Sequence, residues 1–397
     1  MSTETPFGIP QPMIGMNWEP SPSDYTQLPA PQKYGDTDFA NYDFPMLWGG
    51  WKNKRQDLQT IKDLGCNTIK MYNWSVPAPN GYWKRDHSQF LKKAQEIGLS
   101  VIIPISNYFT GVAYNNRTNN SNPAGPPADN ALKGWIKEIV TEVYTDKDPG
   151  PAIMWAIGNE YDNSENGAYG YCEAQDIATV ASYIIDAEKE LDIAEKDVLA
   201  FASPVTTALT PVNTSIQCSS PLNTLMGGCA IQALIDAFND CKTPIPMLRF
   251  IASVNSYQIG QQLVDYYNKF PTLLPNIPMF YGELGFSAAQ AGEQTQAQNI
   301  YNQFSTTISQ AKPGSFFYGS CCFEYTDELW KGAPGSTEVS FGIYTFAKDG
   351  KPTKAHEGLH PPVNGAEYPV DALKERPAKK YFHAAATGQP EPTDCSD

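Results

Sequence analysis

Short apolar runs alternate along this chain with longer stretches whose apolar positions recur at helical spacing, and that alternation is the signature of a parallel sheet with crossover helices. Eight runs read as strands, over residues 13–18, 68–72, 100–105, 152–157, 198–203, 250–255, 279–282 and 315–323. Helical spacing occupies 54–64, 88–97, 131–144, 173–191, 231–239, 261–270 and 294–310. In the second of these, Phe90, Leu91, Ala94 and Ile97 fall on one face and Gly98 follows as the stop.

Eight strands with seven intervening helices fit an α/β fold of the closed (β/α)8 TIM-barrel kind better than an open doubly wound sheet, which would carry a phosphate-binding loop. Neither a glycine-rich dinucleotide fingerprint nor a P-loop pattern occurs. The expected organisation is a catalytic barrel over residues 1–349, followed by an extension over 350–397 that packs on it with a helix near 379–386. Long loops over 25–50 and 107–130 are expected at the C-terminal face of the barrel, where such loops usually serve function.

The composition narrows the partners. Acidic residues outnumber basic ones by 43 to 28, and the resulting net charge of -15 repels nucleic acid and anionic lipid, so a neutral ligand is expected. The 22 Tyr, 18 Phe and 8 Trp supply flat faces of the kind on which sugar rings stack. No run of roughly 18 apolar residues is present, so no membrane-spanning helix is expected. Residues 1–10 lack the basic and apolar regions of a signal peptide. Cys218, Cys229 and Cys241 crowd one loop-rich segment, where a disulfide would staple an insertion. That favours an extracellular or cell-surface location, with a cytoplasmic one as the alternative. No CxxC pair exists and the histidines are four, so neither a zinc site nor a cofactor is expected.

The chemistry lies at two strand ends. The fourth strand runs Ala152-Ile-Met-Trp-Ala-Ile-Gly-Asn-Glu160 and the seventh runs Ile277-Pro-Met-Phe-Tyr-Gly-Glu283. Each places a carboxylate where a barrel presents its active site. Cleavage of a glycosidic bond with retention needs such a pair, a nucleophile and a proton donor roughly 5 to 5.5 Å apart. The apolar surroundings of these strands would raise the pKa of the carboxyl that stays protonated, and Glu160 is assigned that role, with Glu283 as nucleophile. A metal-dependent barrel enzyme would show three or more carboxylates on neighbouring strand ends, and a non-catalytic carbohydrate-binding barrel would lack one of the two glutamates.

Gly158-Asn-Glu160 and Tyr281-Gly-Glu-Leu-Gly285 resemble the motifs of clan A of the glycoside hydrolases. Within the clan, Leu64-Gly-Cys-Asn-Thr-Ile-Lys-Met-Tyr72 is similar to a motif of the family 72 β-1,3-glucanosyltransferases, with Lys70 where that family has Arg. Cys322-Phe-Glu-Tyr-Thr-Asp-Glu328 and Phe341-Gly-Ile343 are similar to that family's last-strand motif and the segment after it. The resemblance implies a retaining β-glycosidase or transglycosidase acting on an oligo- or polysaccharide, with β-1,3-glucan as the substrate, and the barrel chemistry leaves another β-glycan, a β-1,4-glucan or mannan, as the alternative. It also implies that Asn159 binds the sugar 2-hydroxyl, that Tyr257 donates a hydrogen bond to the nucleophile, and that Lys70 takes the place of the family's arginine beside a catalytic carboxylate.

Lys70 and Tyr72, two apart on a strand, are expected to share a face turned into the mouth. Trp18 and Trp330, at the ends of the first and eighth strands, are candidate stacking faces for sugar rings. Glu324, Asp327 and Glu328 are expected to be solvent-exposed after the eighth strand, within reach of sugar hydroxyls.

Overall fold

The computed structural model describes residues 6–19, 56–78, 81–83, 86–118, 129–163, 172–207, 216, 219–241, 243–333, 335–346, 358–359, 369–370 and 373–393. The expected loop over 25–50, Cys218 and most of the 350–368 segment lie outside these residues.

Eight strands close a parallel ring. They are β1 (Met13–Asn17), β2 (Thr68–Lys70), β3 (Ser100–Ile105), β4 (Ala152–Ile157), β5 in two pieces (Ala200–Ala202 and Pro204–Val205), β6 (Ala252–Ser256), β7 (Met279–Leu284) and β8 (Phe317–Cys322). Each pairs with the next, and β8 returns to β1 with Met13 beside Gly319. The break in β5 comes at Ser203, before a proline that has no N–H to give to a ladder. The first piece pairs with β4 and the second with β6, so the ring stays closed across the break.

Side-chain parity divides two cores. Met13, Ile102, Met154, Ala156, Ala200, Ala202, Phe280 and Cys321 fill the barrel interior. Ile14, Met16, Val101, Ile103, Trp155, Ile157, Phe201, Val254, Tyr281 and Cys322 face the surrounding helices. Gly15 lies on the inner face where Cys321 needs the room, since a Cβ there would fall 2.3 Å from its sulfur.

The helical layer comprises α1 (Asp57–Asp63), α2 (Ser88–Ile97), α3 (Asn107–Thr118), α4 (Asp129–Val143), α5 (Ala174–Glu190), α6 (Gly228–Asp240), α7 (Gln261–Leu273), α8 (Glu293–Gln310) and α9 (Pro377–Ala386). Helix α2 buries Phe90, Leu91 and Ala94 and stops at Gly98, whose φ of 71° is the left-handed conformation expected of that glycine.

Helix α3 corrects the expected loop over 107–130. Its first twelve residues form three helical turns that bury Phe109, Thr110, Gly111 and Ala113, one face at helical spacing among polar neighbours. Arg117 at its end donates to Glu173 and Asp176, the capping-box residues of α5. Helix α9 packs on α8 through Phe382 against Phe304 and Tyr381 against Tyr301. Among the crowded cysteines, Cys241 is a free thiol that donates to the carbonyl of Thr243, so it takes no part in a staple.

Under the helices a buried ion pair ties the layers. Arg249 gives both terminal nitrogens to Glu188 of α5 at 2.7 and 2.8 Å and its Nε to the carbonyl of Leu199. Glu188 also accepts from Tyr144 and Trp155. Removing one partner leaves a charge with water excluded, so Arg249→Leu is expected to lower stability by about 3–5 kcal/mol. A urea melt that shows the variant within about 1 kcal/mol of wild type would exclude that role for the pair.

Candidate active site

The inner face of the strand ends carries Asn17, Lys70, Asn255 and Glu283, all buried. Three of them follow from simple alternation. Glu283 does not: Met279 and Tyr281 face outward, and strict alternation would turn residue 283 outward with them. A register shift between Tyr281 and Glu283 in the pairing with β6 resets the parity and aims the carboxylate inward. Gly282 permits the bulge, because a Cβ there would come within 2.5 Å of the Ser253 hydroxyl.

Two hydroxyl donors and one ammonium converge on Glu283. The Tyr72 hydroxyl donates to Oε1 at 2.8 Å and the Tyr257 hydroxyl to Oε2 at 2.7 Å. The Lys70 ammonium stands 3.7 Å from Oε1 and 3.9 Å from the centre of the Tyr72 ring. Burial, followed by the charge of Glu283, pushes the Tyr72 hydroxyl well above its ordinary pKa, so it stays a donor. Phe323 meets both tyrosine rings edge-on, at 6.4 and 6.2 Å, and Phe341 packs against Phe323 and Tyr257.

Glu160 is held differently. Its backbone adopts φ 54°, a left-handed conformation that costs a residue with a Cβ and persists where its surroundings enforce it. Its N–H donates to Pro204 beyond the break in β5. The Asn107 side chain takes both backbone polar groups of the preceding residue, accepting from Asn159 N at 2.7 Å and donating to Asn159 O at 2.9 Å. Beyond it, Asp162 accepts from the Thr206 N–H and hydroxyl, and the Tyr161 hydroxyl donates to Ala230. Asn255 reaches both members of the motif, donating to Asn159 Oδ1 at 3.1 Å and Glu160 Oε1 at 2.9 Å.

Burial first and then the charge of Glu283 push the Glu160 carboxyl up to about 7, with Asp162 adding to the rise and the Asn255 N–H and Lys331 opposing it. The two glutamates are therefore unlike. One is surrounded by donors; the other titrates near neutrality, where a group can first give and later take a proton.

The acidic segment after β8 is not solvent-exposed as expected. Glu324, Asp327 and Glu328 are buried, each through a partner in the fold. Asp327 receives Arg376 bidentately at 2.5 and 2.7 Å and caps the Gly342 N–H, which pins this wall of the mouth to the chain before α9. Glu328 pairs with Lys331, whose ammonium lies 4.6 Å over the Phe323 ring. Burial and then the Glu328 charge hold Glu324 well above the carboxylate range, while for Glu328 burial is overcome by the Lys331 charge together with hydrogen bonds from Glu19, Glu324 and Lys331, which bring it down to about 2.

Of the two tryptophans, Trp330 is half-buried at the mouth. Trp18 has no exposed surface: its indole N–H donates to Asp57 and its ring stacks on Phe90 at 5.8 Å, so it offers no open face to a sugar. The structure thus brings Glu160, Glu283, Asn159, Tyr72, Tyr257 and Lys70 together. Sequence reasoning missed Asn255, Asn107, Asp162 and Phe323; the one signal for Asn255 was its place two residues before Tyr257. Among the described residues no group of histidine, cysteine and carboxylate side chains could hold a metal ion.

With this geometry established, comparison with known proteins defines the class. Residues 32–195 match the family model described as Cellulase, glycosyl hydrolase family 5. Among solved structures, a family 5 glycoside hydrolase from Streptomyces cattleya in complex with Manb1-4GlcNAc matches with a TM-score of 0.54 and 12% identity, over 97% of this chain and 83% of that one. A β-1,3-glucanase and allergen of Cryptomeria japonica pollen matches with a TM-score of 0.51 and 14% identity, over 84% of this chain and 95% of that one. Some matched chains are far longer: this chain spans 30% of a Bacteroides uniformis β-glucuronidase, with 11% identity over 73% of this chain and a TM-score of 0.42. No curated protein matches. The chain folds as the (β/α)8 barrel of these glycoside hydrolase structures, and its match to the family 5 model over residues 32–195 supports a barrel of clan A, whose enzymes act with retention.

Proposed function

We propose that the protein is a retaining β-glycosidase that acts by double displacement on a β-glucan, with β-1,3-linked chains as its substrate. The observation that carries this reading is the unlike surroundings of the two glutamates. Glu283, met by Tyr72, Tyr257 and Lys70, attacks the anomeric carbon and forms a covalent bond as the glycosidic bond breaks. Glu160, with its carboxyl at about 7, gives its proton to the departing oxygen. In the second step the Glu160 carboxylate takes a proton from the incoming hydroxyl, whose oxygen attacks the anomeric carbon and displaces Glu283. Asn159 binds the sugar 2-hydroxyl in both steps.

The β-1,3 linkage rests on the family 72 likeness of residues 64–72 and 322–343, and the fold shared with the Cryptomeria β-1,3-glucanase accords with it. The match to the cellulase model favours β-1,4-glucan as the second reading. Glucans of these kinds occur outside cells, where we place the protein.

Purified protein is expected to cleave β-1,3-gluco-oligosaccharides faster than β-1,4-glucan or β-mannan oligosaccharides, and to release products that are β-configured when first seen by proton NMR. Products longer than the substrate mark transfer to a sugar acceptor; shorter ones alone mark hydrolysis. Initial α-anomers would refute retention, and a preference for β-1,4 chains would move the linkage to the second reading.

A further inference from the structure

Asn255 stands between the two residues of the Asn-Glu motif and reaches both. Its side chain is buried on the inner face of β6, and its Nδ2 serves Asn159 Oδ1 and Glu160 Oε1, one acceptor for each of its two protons. The orientation of the amide follows from its neighbours. Its Oδ1 lies against Gly282, close enough that a Cβ there would approach it to 3.0 Å, and turning the group over would set that oxygen against Asn159 Oδ1 and, whenever Glu160 is ionised, against Glu160 Oε1.

Two consequences follow for the neighbours. A protonated carboxyl has one hydroxyl oxygen and one carbonyl oxygen, and the carbonyl oxygen accepts the N–H donor. With Asn255 donating to Oε1, the proton of Glu160 belongs on Oε2. Asn159 has its Oδ1 occupied by Asn255 and its backbone occupied by Asn107, which leaves its own NH2 as the group available to donate.

We propose that Asn255 is a positioning residue that sets both polarities, keeping the acid proton on Oε2 of Glu160 and presenting the NH2 of Asn159 as the donor to the substrate. The proposal rests on the reading of Glu160 as acid/base. Among the described residues, Glu283 from β7, Asp162 from its own loop and Lys331 from the segment after β8 are charged groups facing Glu160, and all of them remain when Asn255 is changed.

The test compares wild type, Asn255→Ala, Asn255→Asp and Glu160→Ala. Asn255→Asp keeps the shape of the side chain and stands in if truncation to alanine unfolds the protein, and thermal melting identifies the folded variants. In protein carrying carboxyl-13C glutamate, the resonance absent from Glu160→Ala reports this carboxyl without any substrate. Its midpoint is expected at about 7 in wild type and at higher pH in both Asn255 variants, because the donor that opposes burial has gone and, in Asn255→Asp, a second carboxylate stands in its place.

In kinetics, kcat/KM on a methylphenyl β-laminaribioside, whose leaving group needs a proton, falls about tenfold or more, while kcat/KM on the dinitrophenyl analogue stays within about twofold. An unmoved midpoint, or equal losses on both substrates, overturns the proposal, the latter being what a merely structural role would give. If Glu160→Ala itself loses equally on both substrates, the acid/base reading fails. If Glu160→Ala discriminates between them and the Asn255 variants do not, only the role of Asn255 fails.

Discussion

Glu283→Ala is expected to lower kcat/KM by about a million-fold, the loss seen when a covalent nucleophile is removed, which corresponds to about 8 kcal/mol of transition-state stabilisation. Tyr72, Tyr257 and Lys70 lose their common partner, and since Lys70 is buried the variant is expected to lose some stability as well, which a thermal melt separates from the kinetic loss. The vacated space also gives a positive readout. Azide can enter from the face where Glu283 stood, and with an activated β-glycoside it should yield the α-glycosyl azide. Retention of more than about one per cent of wild-type activity, or a β-azide product, would remove Glu283 from the role of nucleophile.

Glu160→Ala is expected to behave in a contrasting way. Loss of a general acid removes about 10²- to 10⁴-fold on substrates with poor leaving groups and little on dinitrophenyl glycosides, for which the departing oxygen needs no proton. Azide should now give the β-glycosyl azide, by attack on the covalent intermediate from the side Glu160 had occupied. The pH dependence carries a sign of its own. The acid works only while protonated, so in wild type kcat/KM declines as the pH rises through about 7, the value to which burial and Glu283 bring the carboxyl. That decline should vanish in Glu160→Ala. If it persists, another group owns the basic limb.

Much of the barrel, and the placing of Glu160 and Glu283 at its mouth, is legible in the sequence because a buried parallel strand is a local pattern and both residues stand where such patterns end. What escapes is whatever depends on a distant partner. The inward aim of Glu283 comes from a bulge against β6, which no alternation within residues 279–284 reveals. Asp327 reads as a solvated carboxylate until Arg376, 49 residues on, is seen to pair with it. Trp18 reads as a platform until Asp57 takes its indole N–H. Residues 107–118 have the asparagines of a loop, yet Phe109 and Ala113 face the core and Arg117 reaches across to α5, so tertiary contacts override weak helix propensity. Asn107 and Asn255 escape for a further reason: an amide that orients other groups looks, in one dimension, like any polar residue.

The pairing of Asp327 with Arg376, together with the return of β8 to β1, bears on how the molecule is made. During synthesis β1 leaves the ribosome first, and its partner in the ring follows about 300 residues later, about 15–60 seconds at ordinary translation rates. For that interval the outer edge of β1 presents unpaired backbone groups, an invitation to wrong strands. Even after the ring has closed, the wall that carries Phe323 and Lys331 waits for Arg376 to emerge. Completion of the mouth therefore waits on Arg376.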